Sequence, residues 1–230
     1  MDKDKLEDLV MFYSSKEKKL VTLKEYRSRM KENTKIYYAC GTSVEQIDLL
    51  PQVDAIKEKY EVLYLTEYID EFTLLTLRVY DGMEFVNVSK ENTDLSTEEE
   101  KEEIKKENED NKEMLDKMTE ILTSKVKEVK FTNTLKNHPV CLRTEGELSA
   151  SMEKVINSMP TGENVKASMV LEINTNHKIA DKLKELYQNN KEEFEKYIKV
   201  LYYEARLIEG LEIENQAEMS NLICEIMANK

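Results

Sequence analysis

The amino-acid sequence predicts a small α/β unit with parallel strands, a charged helical linker, and then a helix-rich α+β unit with a small sheet. Three observations lead there. Strand-like and helix-like runs alternate over residues 1–91, apolar residues almost vanish over 92–116, and helical periodicity with a few strand-like runs resumes over 117–230.

The first predicted strand is Lys35 to Cys40 (KIYYAC). After Gly41, Ser43 caps a short helix through Leu50, and Pro51 starts another through Lys59, with Val53, Ile56 and Tyr60 at helical spacing. Glu61 to Thr66 (EVLYLT) reads as a buried strand. Tyr68 to Tyr80 reads as a helix carrying Ile69, Phe72, Leu75 and Val79, and Met83 to Val88 as a strand after the Asp81-Gly82 turn. This unit ends near Ser89. Glu98 to Glu113 then holds nine acids and four lysines with Ile104 as its one large apolar residue, so it builds no core. Thr97 and Glu100 resemble a capping box, and pairs such as Glu102 with Lys106 support an exposed helix. Beyond it lie a helix at Met114 to Val126 and a half-buried strand at Val126 to Phe131. A helix around Ser149 to Met159, a strand at Ala167 to Ile173 and three helices from His177 onward complete the expected elements.

With 230 residues and 40% hydrophobic content, the chain can bury one large core or two small ones. A net charge of -13 with lysines interleaved among more numerous acids argues against nucleic acid, which needs a basic stripe, and against anionic membranes. Cys40, Cys141 and Cys224 are odd in number and far apart, as expected of reduced thiols. No apolar run approaches the roughly 18 residues of a membrane span. Met1 to Leu9 lacks the apolar centre of a signal peptide, and the expected compartment is the cytoplasm.

Residues with catalytic or ligating capacity are few. His138 lies near Cys141, but Pro139 intervenes and no further Cys or His is close enough to complete a zinc site. His177 follows an Asn-Thr-Asn turn and reads as a helix-start residue making local hydrogen bonds rather than a base. Gly41, Gly82, Gly146, Gly162 and Gly210 are scattered singly, so no glycine loop cradles a phosphate, and the α/β unit is not a nucleotide site. Asp70 and Glu71 read as ordinary surface or cap residues. No catalytic residue, cofactor or metal is assigned to this chain.

Two apolar faces point instead to protein contacts. Leu148, Met152, Val155, Ile156 and Met159 form one stripe, and its two methionines suit a surface that adapts to varied partners; packing on the chain's own core is the competing reading. Phe194, Tyr197, Ile198, Leu201, Ala205 and Ile208 form a second face, and Met219, Leu222, Ile223, Ile226 and Met227 a third, with Gly210 as a C-cap between them. Such a hairpin carries more apolar face than two helices bury between themselves, and pairing with a second copy into a four-helix bundle, typically over about 2,000 Å² or more, is the expected remedy. Internal core is again the alternative.

These residues resemble the ninety-kilodalton heat-shock protein family of molecular chaperones along nearly the whole chain. The similar stretches are Val21 to Tyr38 (VTLKEYRSRMKENTKIYY), Tyr60 to Asp70 (YEVLYLTEYID), Val129 to Leu142 (VKFTNTLKNHPVCL), Leu171 to Leu183 (LEINTNHKIADKL) and Leu201 to Gly210 (LYYEARLIEG), in family order. The chain departs from the pattern at Thr134, where the family usually has arginine. It departs also at Thr175 and Lys178, which replace prolines, and at Asn215-Gln216, which replaces Asp-Pro. The ending Met-Ala-Asn-Lys lacks the acidic pentapeptide of eukaryotic cytosolic members, as expected of a bacterial-type member.

The resemblance implies that residues 1–91 are the end of the middle domain, with Val21 to Tyr38 running from a helix into its first small-subdomain strand, and that 117–230 are the C-terminal dimerisation domain. It implies a homodimer through the terminal helices and unfolded or partly folded clients on the Leu148 to Met159 stripe. The ATPase, with its ATP and magnesium, would belong to upstream parts of a full-length parent. The competing classes are a purely structural dimerisation scaffold and, far behind, a hydrolase using His138 or His177.

Overall fold

The structure, a computed structural model, describes residues 7, 9–30, 35–67, 69–90, 96–159 and 165–228. Asn92, where the charged segment is expected to start, and Gly162 lie outside them. The chain divides into two units, Met1–Thr93 with Leu148–Lys166 and Asp94–Glu147 with Ala167–Lys230. The sequence places the Leu148–Lys166 excursion in the second domain; its contacts group it with the first unit.

The first unit contains β1 (Met11–Ser14), β2 (Leu20–Thr22), α1 (Leu23–Arg29), β3 (Lys35–Cys40), α2 (Val44–Asp48), α3 (Pro51–Ile56), β4 (Val62–Leu65), α4 (Asp70–Leu77), β5 (Val79–Tyr80) and β6 (Met83–Asn87). These strands make one mixed sheet in the order β2-β1-β4-β3-β6-β5. The expected parallel crossover pattern is present at its centre, where β3 pairs in parallel with β4 and β6, while β1-β2, β1-β4 and β5-β6 are antiparallel. Central strands of such a sheet are covered on both faces, which is why β4 (VLYL) is buried at all four positions. Ile36, Tyr38, Leu63 and Leu65 share a core with Phe12, Val21, Leu23, Tyr26 and Leu74, and the alternate residues Tyr37, Ala39, Val62 and Tyr64 are buried too.

Three expectations are corrected here. Lys35–Cys40 is not the first strand, because β1 and β2 precede it as a hairpin. Val21 lies in β2 rather than at a helix end, and the helix that follows is capped by a Thr22–Glu25 box. The helix around Phe72 stops at Leu77, because Arg78 takes a left-handed conformation (φ 66°). Val79–Tyr80 then turns back onto β6 through Asp81 and Gly82, both at positive φ (48° and 76°) as a two-residue primed hairpin requires.

The second unit contains α5 (Glu98–Asp110), α6 (Lys112–Ile121), β7 (Glu128–Thr132), β8 (Val140–Glu145), β9 (Ser168–Asn174), α8 (Lys178–Asn189), α9 (Lys191–Ile208) and α10 (Gln216–Ala228); α7 (Ala150–Ser158) lies in the excursion. Its sheet runs β7-β9-β8, parallel on one side of β9 and antiparallel on the other. The edge strand β8 (VCLRTE) has no counterpart among the strands expected from sequence. The charged helix α5 carries the Thr97–Glu100 capping box and buries no residue. It is nonetheless fastened to the sheet: Asn108 donates to the Phe131 carbonyl (3.1 Å) and accepts from the Phe131 N–H (2.8 Å), and Lys184 pairs with Glu107 at 2.5 Å.

Register puts Val129, Leu171 and Leu142 in one row and Phe131, Ile173 and Val140 in the next, all buried on the apolar face. The opposite face carries polar residues that are buried at its centre. Arg143 donates to Glu172 at 2.7 Å with 4% and 5% of their side chains exposed, and the far end of the guanidinium reaches the Thr134 hydroxyl at 3.4 Å. Thus a guanidinium from β8 arrives at Thr134. Burial, and then the Glu172 carboxylate, push the Cys141 thiol well above its ordinary value. Asn174 donates to the carbonyls of Leu135 (3.1 Å) and His138 (3.0 Å), which holds the 133–139 loop. Among the described residues no helix is long and apolar enough to cross a membrane.

Candidate protein-contact surfaces

The terminal hairpin is built by local chain chemistry. Asn190 caps α9 by accepting from the Glu193 N–H at 3.1 Å. The helix ends in a Schellman motif: Gly210 (φ 65°) donates to Leu207 (3.0 Å), Leu211 donates to Arg206 (2.8 Å), and Leu211 is buried as the accompanying hydrophobic contact. Asn215 accepts from the Glu218 N–H (3.0 Å) to start α10.

The eleven residues expected on the pairing face divide sharply. Phe194, Ile198, Leu201 and Ala205 are buried within the chain itself, with the Phe194 ring 5.3 Å from that of Tyr187. Only Tyr197 and Ile208 of the α9 set stay half-buried. Helix α10 buries no residue at all: Met219, Leu222, Ile223 and Ile226 are half-buried and Met227 is 69% exposed. Leu207, which the sequence reading left out, is 51% exposed.

Polar contacts also fasten α10 to α9. Tyr203 donates to Glu218 at 2.9 Å, and Lys196 bridges Glu225 (2.8 Å) and Glu192 (3.0 Å). Burial, and then that bond to Glu218, push the Tyr203 hydroxyl up to about 12. Lys125 sits over the Tyr202 and Tyr203 rings at 5.3 and 5.0 Å.

In the excursion, Ser149 caps α7 by accepting from the Met152 N–H at 3.1 Å. Asn157 pins the returning chain through paired bonds with the Val165 carbonyl (2.9 Å) and N–H (3.0 Å). Helix α7 has no buried residue; Leu148, Met152, Val155 and Ile156 are half-buried and Met159 is 48% exposed.

Of the acid pair, Asp70 behaves as expected, accepting from the Glu67 N–H at 3.1 Å, but Glu71 does not. It is 3% exposed and accepts from Tyr38 (3.3 Å), Asn87 (2.9 Å) and Ser149 (2.5 Å). Its spacing on α4 hides this, because the donors come from β3, β6 and a residue far along the chain.

The two histidines have structural neighbours. His177 caps α8, its Nδ1 accepting from the Ile179 N–H at 3.2 Å, and the His138 carbonyl is held by Asn174. Glu204 lies near both; burial raises its pKa and the histidines pull it partly back. Among the described residues no group of three His, Cys, Asp or Glu side chains could hold a metal ion.

The family model described as Hsp90 protein matches residues 1–230. The chain is 51% identical over 228 residues to the chaperone protein HtpG of Clostridium acetobutylicum, covering 98% of this chain and 36% of that protein. It is 51% identical over 229 residues to HtpG of Natranaerobius thermophilus (99% and 36%) and 49% identical over 228 to that of Alkaliphilus oremlandii (98% and 36%). The chain thus spans about a third of the length of these relatives, and with the family model matching from its first residue to its last, it belongs to the Hsp90 protein family.

Proposed function

We propose that this chain is the pairing and client-contact portion of an ATP-driven, bacterial-type molecular chaperone that assists protein folding in the cytoplasm as a homodimer. The observation that carries the reading is α10, a helix with five large apolar side chains, four of them only half-buried and one exposed in its own chain. Water-exposed apolar surface of this kind is stabilised by covering it, and a second copy offers an identical, self-complementary hairpin. Sedimentation of the chain with and without residues 219–227 tests it: a dimer is expected for the intact chain and a monomer for the truncation, and a monomeric intact chain at micromolar concentration sinks the pairing claim.

The stripe of α7 is assigned to unfolded or partly folded clients. Its half-buried, methionine-bearing face supports this, and Met152→Glu is expected to weaken suppression of a model client's aggregation while leaving the fold intact. The half-burial also favours the alternative, a dimerisation scaffold whose stripe is core; in that case the substitution lowers solubility or stability instead.

ATP and magnesium are assigned to the part of the parent protein outside this chain. Among the described residues, the glycine loop after β3 does not fit a nucleotide phosphate. In the loop after β3 the Thr42 N–H already donates to Gln46 Oε1 (3.1 Å), and a Cβ on Gly41 would lie 2.0 Å from that oxygen, so this glycine serves close packing.

A further inference from the structure

We infer that Glu71 is the seat of a polar latch that holds the start of α7 in the first unit, and that opening it frees the Leu148 to Met159 stripe. The inference rests on the reading of α7 as the client-contact helix and adds how that helix is held.

A buried carboxylate persists only where donors surround it. Glu71 has three, from β3 (Tyr38), β6 (Asn87) and the residue that begins α7 (Ser149). It stands in the first turn of α4, where the helix end favours negative charge. The charge is felt by its neighbours: burial, and then Glu71, raise both the Tyr38 hydroxyl and the Cys40 thiol well above their ordinary values. Tyr38, Asn87 and the α4 terminus belong to the sheet and helix of the first unit rather than to the excursion that carries Ser149. Water entering as Ser149 leaves replaces its single hydrogen bond, so Glu71 is not stranded by opening.

The seated element is built to leave. Ser149 is 3% exposed, whereas α7 itself buries no side chain, so among the described residues of the excursion the most enclosed side chain is a hydroxyl rather than an apolar group. That hydroxyl has one proton and gives it to Glu71, while its lone pair accepts the Met152 N–H. Cap and latch are therefore one group, and a substitution can separate them. Aspartate caps a helix as well as serine does but has no proton for Glu71 and sets a second carboxylate against it. Threonine keeps both roles, and alanine loses both.

The test is amide hydrogen exchange on the full 230-residue chain, comparing Ser149→Asp, Ser149→Ala and Ser149→Thr. A latch predicts exchange over residues 150–158 faster by about tenfold or more for Ser149→Asp and Ser149→Ala, near-parental exchange for Ser149→Thr, and unchanged β3 and β4 in all three. Parental protection of 150–158 in Ser149→Asp would overturn the inference, since the hydroxyl would then be a cap alone. Faster exchange through β3 and β4 as well would equally overturn it, since the contact would then be part of the core. No client enters this measurement, so its failure is distinct from the failure of Met152→Glu to alter client protection.

Discussion

Helices α9 and α10 follow each other in the chain and each carries five or more large apolar side chains, yet α9 buries six residues and α10 none. The difference lies in what surrounds them. Helix α9 packs against α6, α8 and β8, whereas α10 meets chiefly α9. An apolar stripe in sequence says that a face will be covered and is silent on whether the cover is the same chain.

The largest effect expected from this comparison is Leu201→Ala in α9. It should lower the unfolding free energy by about 2–5 kcal/mol at every protein concentration, as a buried large-to-small change does. A urea series at two concentrations reads it, and a loss that vanished at high concentration would move Leu201 to the interface. Ile223→Asp in α10 comes next: unfolding of the monomer should change little, while association weakens by about 2 kcal/mol or more, some thirtyfold in the dissociation constant. Sedimentation equilibrium measures that, and an unchanged dimer would remove α10 from the contact. Smaller again is Tyr203→Phe, which deletes the bond to Glu218 and should cost about 1 kcal/mol by loosening one helix on the other.

The smallest effect is a matter of pH. Burial raises the folded-state pKa of Glu204 above 4.5, so its contribution is favourable at low pH and is lost as pH rises through the raised value. Glu204→Gln, always uncharged, should therefore melt above the parent at pH 7 and no higher at pH 4. Equal shifts at both values would attribute the change to packing rather than charge.

Much of the architecture is legible in local pattern. β3 has the bounds read from sequence, and Ser43 and Thr97 cap helices as their spacing implies, because capping is decided within four residues. β8 escaped for a tertiary reason: Arg143 and Glu145 interrupt its apolar run, and Arg143 is admitted to the interior only because Glu172 arrives beside it on β9. The β1-β2 hairpin is too short for a periodic signal, and β1 is a strand because β4 pairs with it. Glu71 was invisible as a hub for the same kind of reason, since its donor at Ser149 lies 78 residues away.

By itself the sequence determined that Ser43 and Thr97 cap helices, which faces are apolar, and through its quoted stretches the family to which the chain belongs. Those properties are local or compositional, and each residue carries its share whatever the rest does. The tertiary structure alone decided that Phe194, Ile198, Leu201 and Ala205 face inward while Leu222, Ile223 and Ile226 remain partly bare, and that Ser149, before α7, donates to a buried glutamate. Burial is a property of what packs around a residue, and no spacing along one helix contains its neighbours.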